Sequence, residues 1–299
     1  MPVRRKRIRE SIGDRLLLAA IYTLLALVLL VVLYPLIYIV SSSFSSPQAV
    51  ASGRVVLWPV EFSLRGYQVI FTNPQILTGY LNSLFYTVAG TALSVTLTIM
   101  LAYPLSRGTL FGRNTIMFLV TFTMLFSGGL IPTYMVVRSL GLIDTRWAML
   151  LPQAVAVWQV IIARTFFQTT IPEELIEASQ LDGCSDLQFL WSVVLPLSRP
   201  IIAVIALMYA VFQWNAYFDA LIYLKSAELF PLQLVLRGIL ILNTTTSGSM
   251  EASAMIERQQ MADLLKYALI VVASLPVLLV YPFVQRYFVK GMLIGAIKG

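Results

Sequence analysis

Five carboxylates, those of Glu173, Glu174, Glu177, Asp182 and Asp186, fall within one short segment of a chain that holds 14 acidic residues among 299. Carboxylates at this density can serve as a general acid and base, or can ligate a hard cation such as Mg2+. Either chemistry needs company, and the chain has no His, a single Cys and no phosphate-loop pattern G-x-x-x-x-G-K-[ST]. A His or Cys metal site and an internal disulfide are therefore excluded. The spacing offers helix ends as another use for the same acids. Thr170 and Glu173 stand at capping-box distance, Pro172 suits a first turn, and Glu173 with Glu174 places negative charge at the positive end of a helix dipole. Gly183 after Asp182 can take the left-handed conformation that ends a helix, and Ser185 with Gln188 opens a second one running through Phe189, Leu190, Trp191, Val193 and Val194 to Leu195-Pro196. The spacing predicts two short helices meeting at a glycine elbow. A solvated amphipathic loop whose acids keep it soluble is the alternative. Cys184 is expected to be only a small residue after the turn.

The elements that carry this elbow are apolar. The chain is 59% hydrophobic and 12% charged, with a mean hydropathy of +0.83. That is too little polar surface to cover a soluble globule, and it predicts a bilayer protein. Stretches free of Asp, Glu, Lys and Arg mark six expected spans, within 16–44, 80–106, 114–137, 147–163, 200–224 and 267–285. The first follows a basic segment and is too long for the apolar core of a signal peptide, so Ala49-Val50-Ala51 is not read as a cleavage site. Arg4, Arg5, Lys6, Arg7, Arg9 and Arg15 hold the N-terminus in the cytoplasm by the positive-inside rule. Six crossings return the C-terminus there, and 13 of the 21 basic residues then lie inside. The net charge of +7 thus reads as a topology signal, and no basic stripe interleaved with aromatics points to nucleic acid. The expected external segments are 45–79, a turn at Gly141, and 225–266. Pro35, Pro104, Pro276 and Pro282 are read as kinks.

The fifth apolar segment carries Gln213, Trp214, Asn215, Tyr217 and Asp219 in an aliphatic setting. Amides and aromatic faces are what hold sugars, and polar groups at membrane depth must face protein or water. Two readings stand: Gln213, Asn215 and Tyr217 line a translocation path, with Gln213 and Tyr217 on one helix face, or these residues are interhelical glue.

Glu177-Ala178-Ser179, then Asp182-Gly183, then Val193-Val194-Leu195-Pro196 resembles the E-A-A motif of permease subunits in ATP-binding-cassette (ABC) importers, with matching spacing and conservative Ser179 and Val193 replacements. YPLIYIVSSSFSS, LSRGTLFGR, FSGGLIPTYMVVRSLGLIDT, WNAYFDAL and KGMLIGAIKG are similar to carbohydrate importers of the maltose-system type, nearest to those for larger or acidic oligosaccharides. The resemblance implies an all-α integral membrane protein of the type I importer permease fold: a cytoplasmic segment 1–15, six spans within 16–290, a coupling-helix loop at about 168–197, and a cytoplasmic tail 291–299. It implies a site for an ATPase on Glu174, Glu177, Ala178, Ser179, Asp182, Gly183, Leu195 and Pro196, with the tail residues Ala296, Ile297, Lys298 and Gly299 reaching the same interface. Its implied setting is the bacterial cytoplasmic (inner) membrane, with a second homologous permease, two ABC ATPase subunits that hold ATP and Mg, an extracytoplasmic solute-binding protein, membrane lipid and a sugar substrate. No cofactor is expected on this chain. An importer permease for a non-sugar solute is the alternative, and a secondary transporter or membrane-embedded enzyme lacks the intramembrane ionisable groups or catalytic constellation it would need.

Overall fold

The computed structural model describes residues 11–245, 264–282 and Gln285, and every regular element among them is helical. The chain forms two units, one from Met1–Ile70 with Thr246–Val272 and one from Phe71–Thr245 with Ala273–Gly299.

In the first unit, α1 (Ile12–Ser43) starts on a capping box in which Ser11 Oγ accepts from the Asp14 N–H and the Asp14 carboxylate accepts from the Ser11 N–H. Its flank from Leu16 to Leu36 is exposed leucine, valine and isoleucine, a surface suited to hydrocarbon and costly in water. A turn of buried serines follows: Ser41 Oγ donates to the Leu57 carbonyl at 2.6 Å, and Ser45 Oγ accepts from the Val60 N–H at 3.1 Å. Ala49 and Val50 of α2 (Pro47–Ala51) pack with Val55 and Leu264 in a small core. Helix α3 (Arg65–Thr72) completes the run into the second unit.

The second unit is organised around α4 (Pro74–Ser106), capped by Asn73 with Pro74 in its first turn. Next come α5 (Arg113–Leu125), α6 (Leu130–Ser139), α7 (Trp147–Leu150) and α8 (Val157–Thr170). The elbow helices are α9 (Glu173–Leu181) and α10 (Asp186–Leu197), followed by α11 (Arg199–Trp214), α12 (Phe218–Tyr223) and α13 (Leu232–Thr245). The last described helix is α14 (Leu264–Pro282).

Helices α1, α4 and α14 are each long and apolar enough to cross a membrane. The bent pairs α5–α6 and α10–α11 raise the number to five if each is one span. The single helix expected over 114–137 is instead broken by 114° between α5 and α6, at Gly128-Gly129 just ahead of Pro132, residues of the poorest helix propensity. The expected fourth span divides at Pro152 into α7 and α8, and α8 alone is about 21 Å long at 1.5 Å per residue. The fifth divides at Asn215. Helix α13 lies inside the segment expected to be an external loop. Its Leu232, Val235 and Leu236 are buried, and the Leu232 N–H donates to Ser83 Oγ of α4 at 2.8 Å.

Candidate functional sites at the glycine elbow and the break in the fifth apolar segment

Helix α9 ends as the sequence predicts. Gly183 sits at φ +75°, its N–H donates to the Gln180 carbonyl at 3.1 Å, and the Cys184 N–H donates to the Ser179 carbonyl at 2.9 Å. This pair of bonds satisfies the last carbonyls of α9 in the Schellman arrangement, with glycine where a side chain would strain the backbone. Ser185 then caps α10, accepting from the Gln188 N–H at 3.3 Å. The beginning of α9 differs from expectation. Thr170 is the final residue of α8 and cannot cap the next helix; Pro172 takes the N-cap position in extended geometry, and Glu173 and Glu174 fill the first turn. Within α10 the turn widens over Leu190–Val194, where the Leu195 N–H reaches the Leu190 carbonyl five residues back. Pro196 follows, lacking an N–H and crowding the preceding turn, so the wide turn absorbs it without ending the helix.

The elbow is fastened on one side and open on the other. Phe189 and Val194 are buried in a core with Ala102 of α4, Phe167 of α8 and Ile205 of α11, and Ile176 and Cys184 pack against it. Arg164 Nε donates to the Leu105 carbonyl at 2.9 Å, tying α8 to the end of α4. The other face exposes Glu174, Glu177, Ala178, Asp182 and Gly183, together with Leu181 at 90% and Leu187 at 67% of full accessibility, while Ser179 and Leu195 are half-buried and Pro196 is exposed. No three carboxylates, Cys or His among the described residues are grouped to hold a metal. A mixed acidic and apolar surface on a rigid base is suited to docking a protein.

At the other candidate site the three path residues part company. Helix α11 stops at Trp214: the Asn215 N–H still donates to the Val211 carbonyl four residues back at 3.2 Å, with Asn215 Nδ2 on the same carbonyl at 2.7 Å, but the Ala216 N–H departs from the ladder and donates to the Gln213 carbonyl at 3.2 Å. Tyr217 is the N-cap of a new helix, so the four-residue spacing no longer places Gln213 and Tyr217 on one face. Gln213 is 2% exposed, pressed against Gly90, and neither end of its amide has a partner. Asn215 is exposed, and Tyr217 is 42% exposed under the Arg237 guanidinium at 5.3 Å from the ring centroid. Asp219 is half-buried in α12. A cleft of about 580 Å3 between α4, α11 and α14 is lined by aliphatic residues with Thr87, Thr91, Thr96 and Trp214, and Gln213 is not among them. A further lock holds α11, with no sequence motif to announce it: Tyr209 pairs with Thr98 Oγ1 at 2.7 Å and accepts from the Ala156 N–H at 3.0 Å. Its only signal was a Tyr and a Thr in separate apolar runs. The tail residues Ala296, Ile297, Lys298 and Gly299, and the N-terminal arginines up to Arg9, lie outside the described residues.

No family model matches the chain. It is 46% identical to the permease protein YtcP of the polygalacturonan/rhamnogalacturonan transport system of Bacillus subtilis, over 96% of this chain and 99% of that one. To the inner membrane ABC transporter permease protein YcjP of Escherichia coli it is 30% identical, over 93% of this chain and 95% of the other. Among solved structures, a bacterial ABC transporter involved in the import of the acidic polysaccharide alginate superposes with a TM-score of 0.86 at 36% identity, covering 94% of this chain and 99% of that one. The relatives are permease subunits of such transporters, whose ATP-hydrolysing activity resides in separate subunits. With near-complete coverage of both sequence and fold, the chain belongs to the permease subunits of ABC transporters that import sugars and oligosaccharides.

Proposed function

We propose that this permease crosses the cytoplasmic membrane six times with both termini inside, pairs with a second homologous permease, and carries acidic oligosaccharides delivered by an external binding protein. The four remaining crossings are α5–α6, α8, α11–α12 and α14 beside α1 and α4. The relatives support the cargo: one belongs to a polygalacturonan/rhamnogalacturonan system and one imports alginate, both acidic polymers. ATP and Mg are held by the partner ATPases, and the elbow seats in one of them. The observation that carries the coupling role is the elbow itself, doubly capped, bolted through Phe189 and Val194 to three helices, and presenting Leu181 and Leu187 outward. Such an element transmits rigid-body motion in both directions, so that ATP-driven closure of the ATPases and reorientation of the permease stay linked. The tail Ala296–Gly299 adds a second contact in this scheme.

Cysteine chemistry tests the docking. With Cys184 replaced by Ser, Leu181→Cys in the assembled, transport-competent complex should cross-link to an ATPase subunit, and Leu181→Asp should weaken ATPase co-purification. A functional complex that never cross-links there and tolerates Leu181→Asp would exclude the elbow as the coupling element.

A further inference from the structure

The break after α11 places Tyr217 beneath Arg237 of α13, with Asn215 two residues earlier in the same break, and none of the three is saturated. Arg237 of α13 lies over the Tyr217 ring, its guanidinium carbon 5.3 Å from the centroid. The side chain is exposed, and the ion pair found among the described residues, Arg54–Glu61, does not involve it. Tyr217 remains 42% exposed. Asn215 is also exposed, and it commits Nδ2 to the Val211 carbonyl while Oδ1 remains free to accept. This arrangement is fixed from below: α13 is pinned to α4 through the Leu232 N–H and Ser83 Oγ, and the turn before it by Asn82 Nδ2 and the Tyr86 hydroxyl, which donate to the carbonyls of Glu228 and Leu229.

We infer that Arg237, Tyr217 and Asn215 form a subsite for one carboxylate-bearing sugar unit on the outer side of the permease. This rests on the acidic-cargo reading above. A guanidinium is a planar fork that matches a carboxylate with two parallel hydrogen bonds, and stacking on a ring holds the fork in one orientation without neutralising it. The exposed part of the Tyr217 ring offers a surface for the C–H face of a pyranose. Asn215 Oδ1 accepts from a sugar hydroxyl. An ammonium would supply charge without the fork, so arginine here confers discrimination as well as attraction. The anionic headgroup of a lipid offers the same chemistry and must be separated by experiment.

The full transporter with its binding protein, reconstituted in phosphatidylcholine vesicles, is offered trigalacturonate and its fully methyl-esterified form, which keeps the sugar but loses the charges. The same binding protein delivers both, so its own preference cancels when variant is divided by wild type. Arg237→Gln should lower the acid-to-ester uptake ratio about tenfold, the lower end of what hydrogen bonds to a charged group supply. Arg237→Lys should lower it less, and Tyr217→Leu should lower uptake of both forms where Tyr217→Phe does not. If Arg237→Gln does not co-purify as an assembled complex, the Arg237→Lys ratio decides the matter. An unchanged ratio in a wild type that prefers the acid overturns the subsite alone. A wild type with no preference for the acid overturns the cargo reading and the subsite with it. A fall in the ratio that appears only when phosphatidylglycerol is added assigns Arg237 to lipid and also overturns the subsite.

Discussion

Gly183 permits a graded test of whether the elbow must keep its left-handed turn. Its φ of +75° is one that residues with a Cβ rarely adopt, yet a Cβ built there meets nothing within 4 Å. Any cost of substitution is therefore a backbone cost, not a steric one, and should follow the left-handed preferences of the new residue and ignore its size. Asn visits this region readily, Ala pays about 1–2 kcal/mol, and β-branched Val pays the most. If ATPase docking selects the capped elbow, that penalty becomes a population of unproductive elbows, and 1–2 kcal/mol weakens apparent ATPase affinity by at most about 5- to 30-fold for Gly183→Ala. The assay is titration of reconstituted permease pairs with purified ATPase subunits, read by cargo-stimulated ATP hydrolysis and by uptake. The expected order of half-saturating concentration is Gly, then Asn, then Ala, then Val. Equal behaviour of the Asn and Ala variants would refute the argument, because both fit the open space and differ in left-handed preference.

The Gly90–Gln213 contact predicts rescue: a Cβ on Gly90 would lie 2.7 Å from Gln213 Nε2, so Gly90→Ala should cost about 1–3 kcal/mol by overpacking, and Gln213→Ala in the same chain should restore most of the thermal stability of the complex. Gln213→Leu alone should leave uptake intact, whereas loss of uptake would return Gln213 to the sugar path. On the expected outer side, Asp144 accepts from the Ser226 hydroxyl at 2.6 Å and from the backbone N–H groups of Ser226 and Lys225 at 2.8 Å. The Ser226 hydroxyl first, then these N–H groups, hold the Asp144 carboxyl below the usual carboxylate range. A lowered folded value means the tie is complete above that range and is lost only as pH falls through the folded value, so amide protection at 225–226 should be flat from about pH 8 to 5 and drop below about pH 4. Asp144→Asn should show the low-pH protection at neutral pH, and a transition near neutrality in the native chain would exclude this carboxylate as the cause.

Much of the elbow could be read from residues alone because its causes are local. A glycine that must be left-handed, a serine that caps and acids at a helix start all act within one or two turns, and Gly183 and Ser185 do in the structure what their spacing implied. Thr170 shows the limit of such patterns. Two helix signals overlapped there, and the residue went to the end of α8 because the helical run from Val157 claimed it. The apolar composition likewise determined a membrane protein, since no soluble fold could hide that surface. What only the tertiary structure decided is which polar groups meet. Gln213 and Tyr217 are four residues apart, but one helix ends at Trp214 and the next starts at Phe218, so one is buried against Gly90 and the other stands under Arg237. Arg237 lies twenty residues further on, in a helix that exists because Leu232, Val235 and Leu236 bury themselves with α4 as a support. Helix-period arguments reach along one continuous helix; a contact between side chains on separate helices depends on where the breaks fall and on the packing that orients each piece, and the order of residues does not state either.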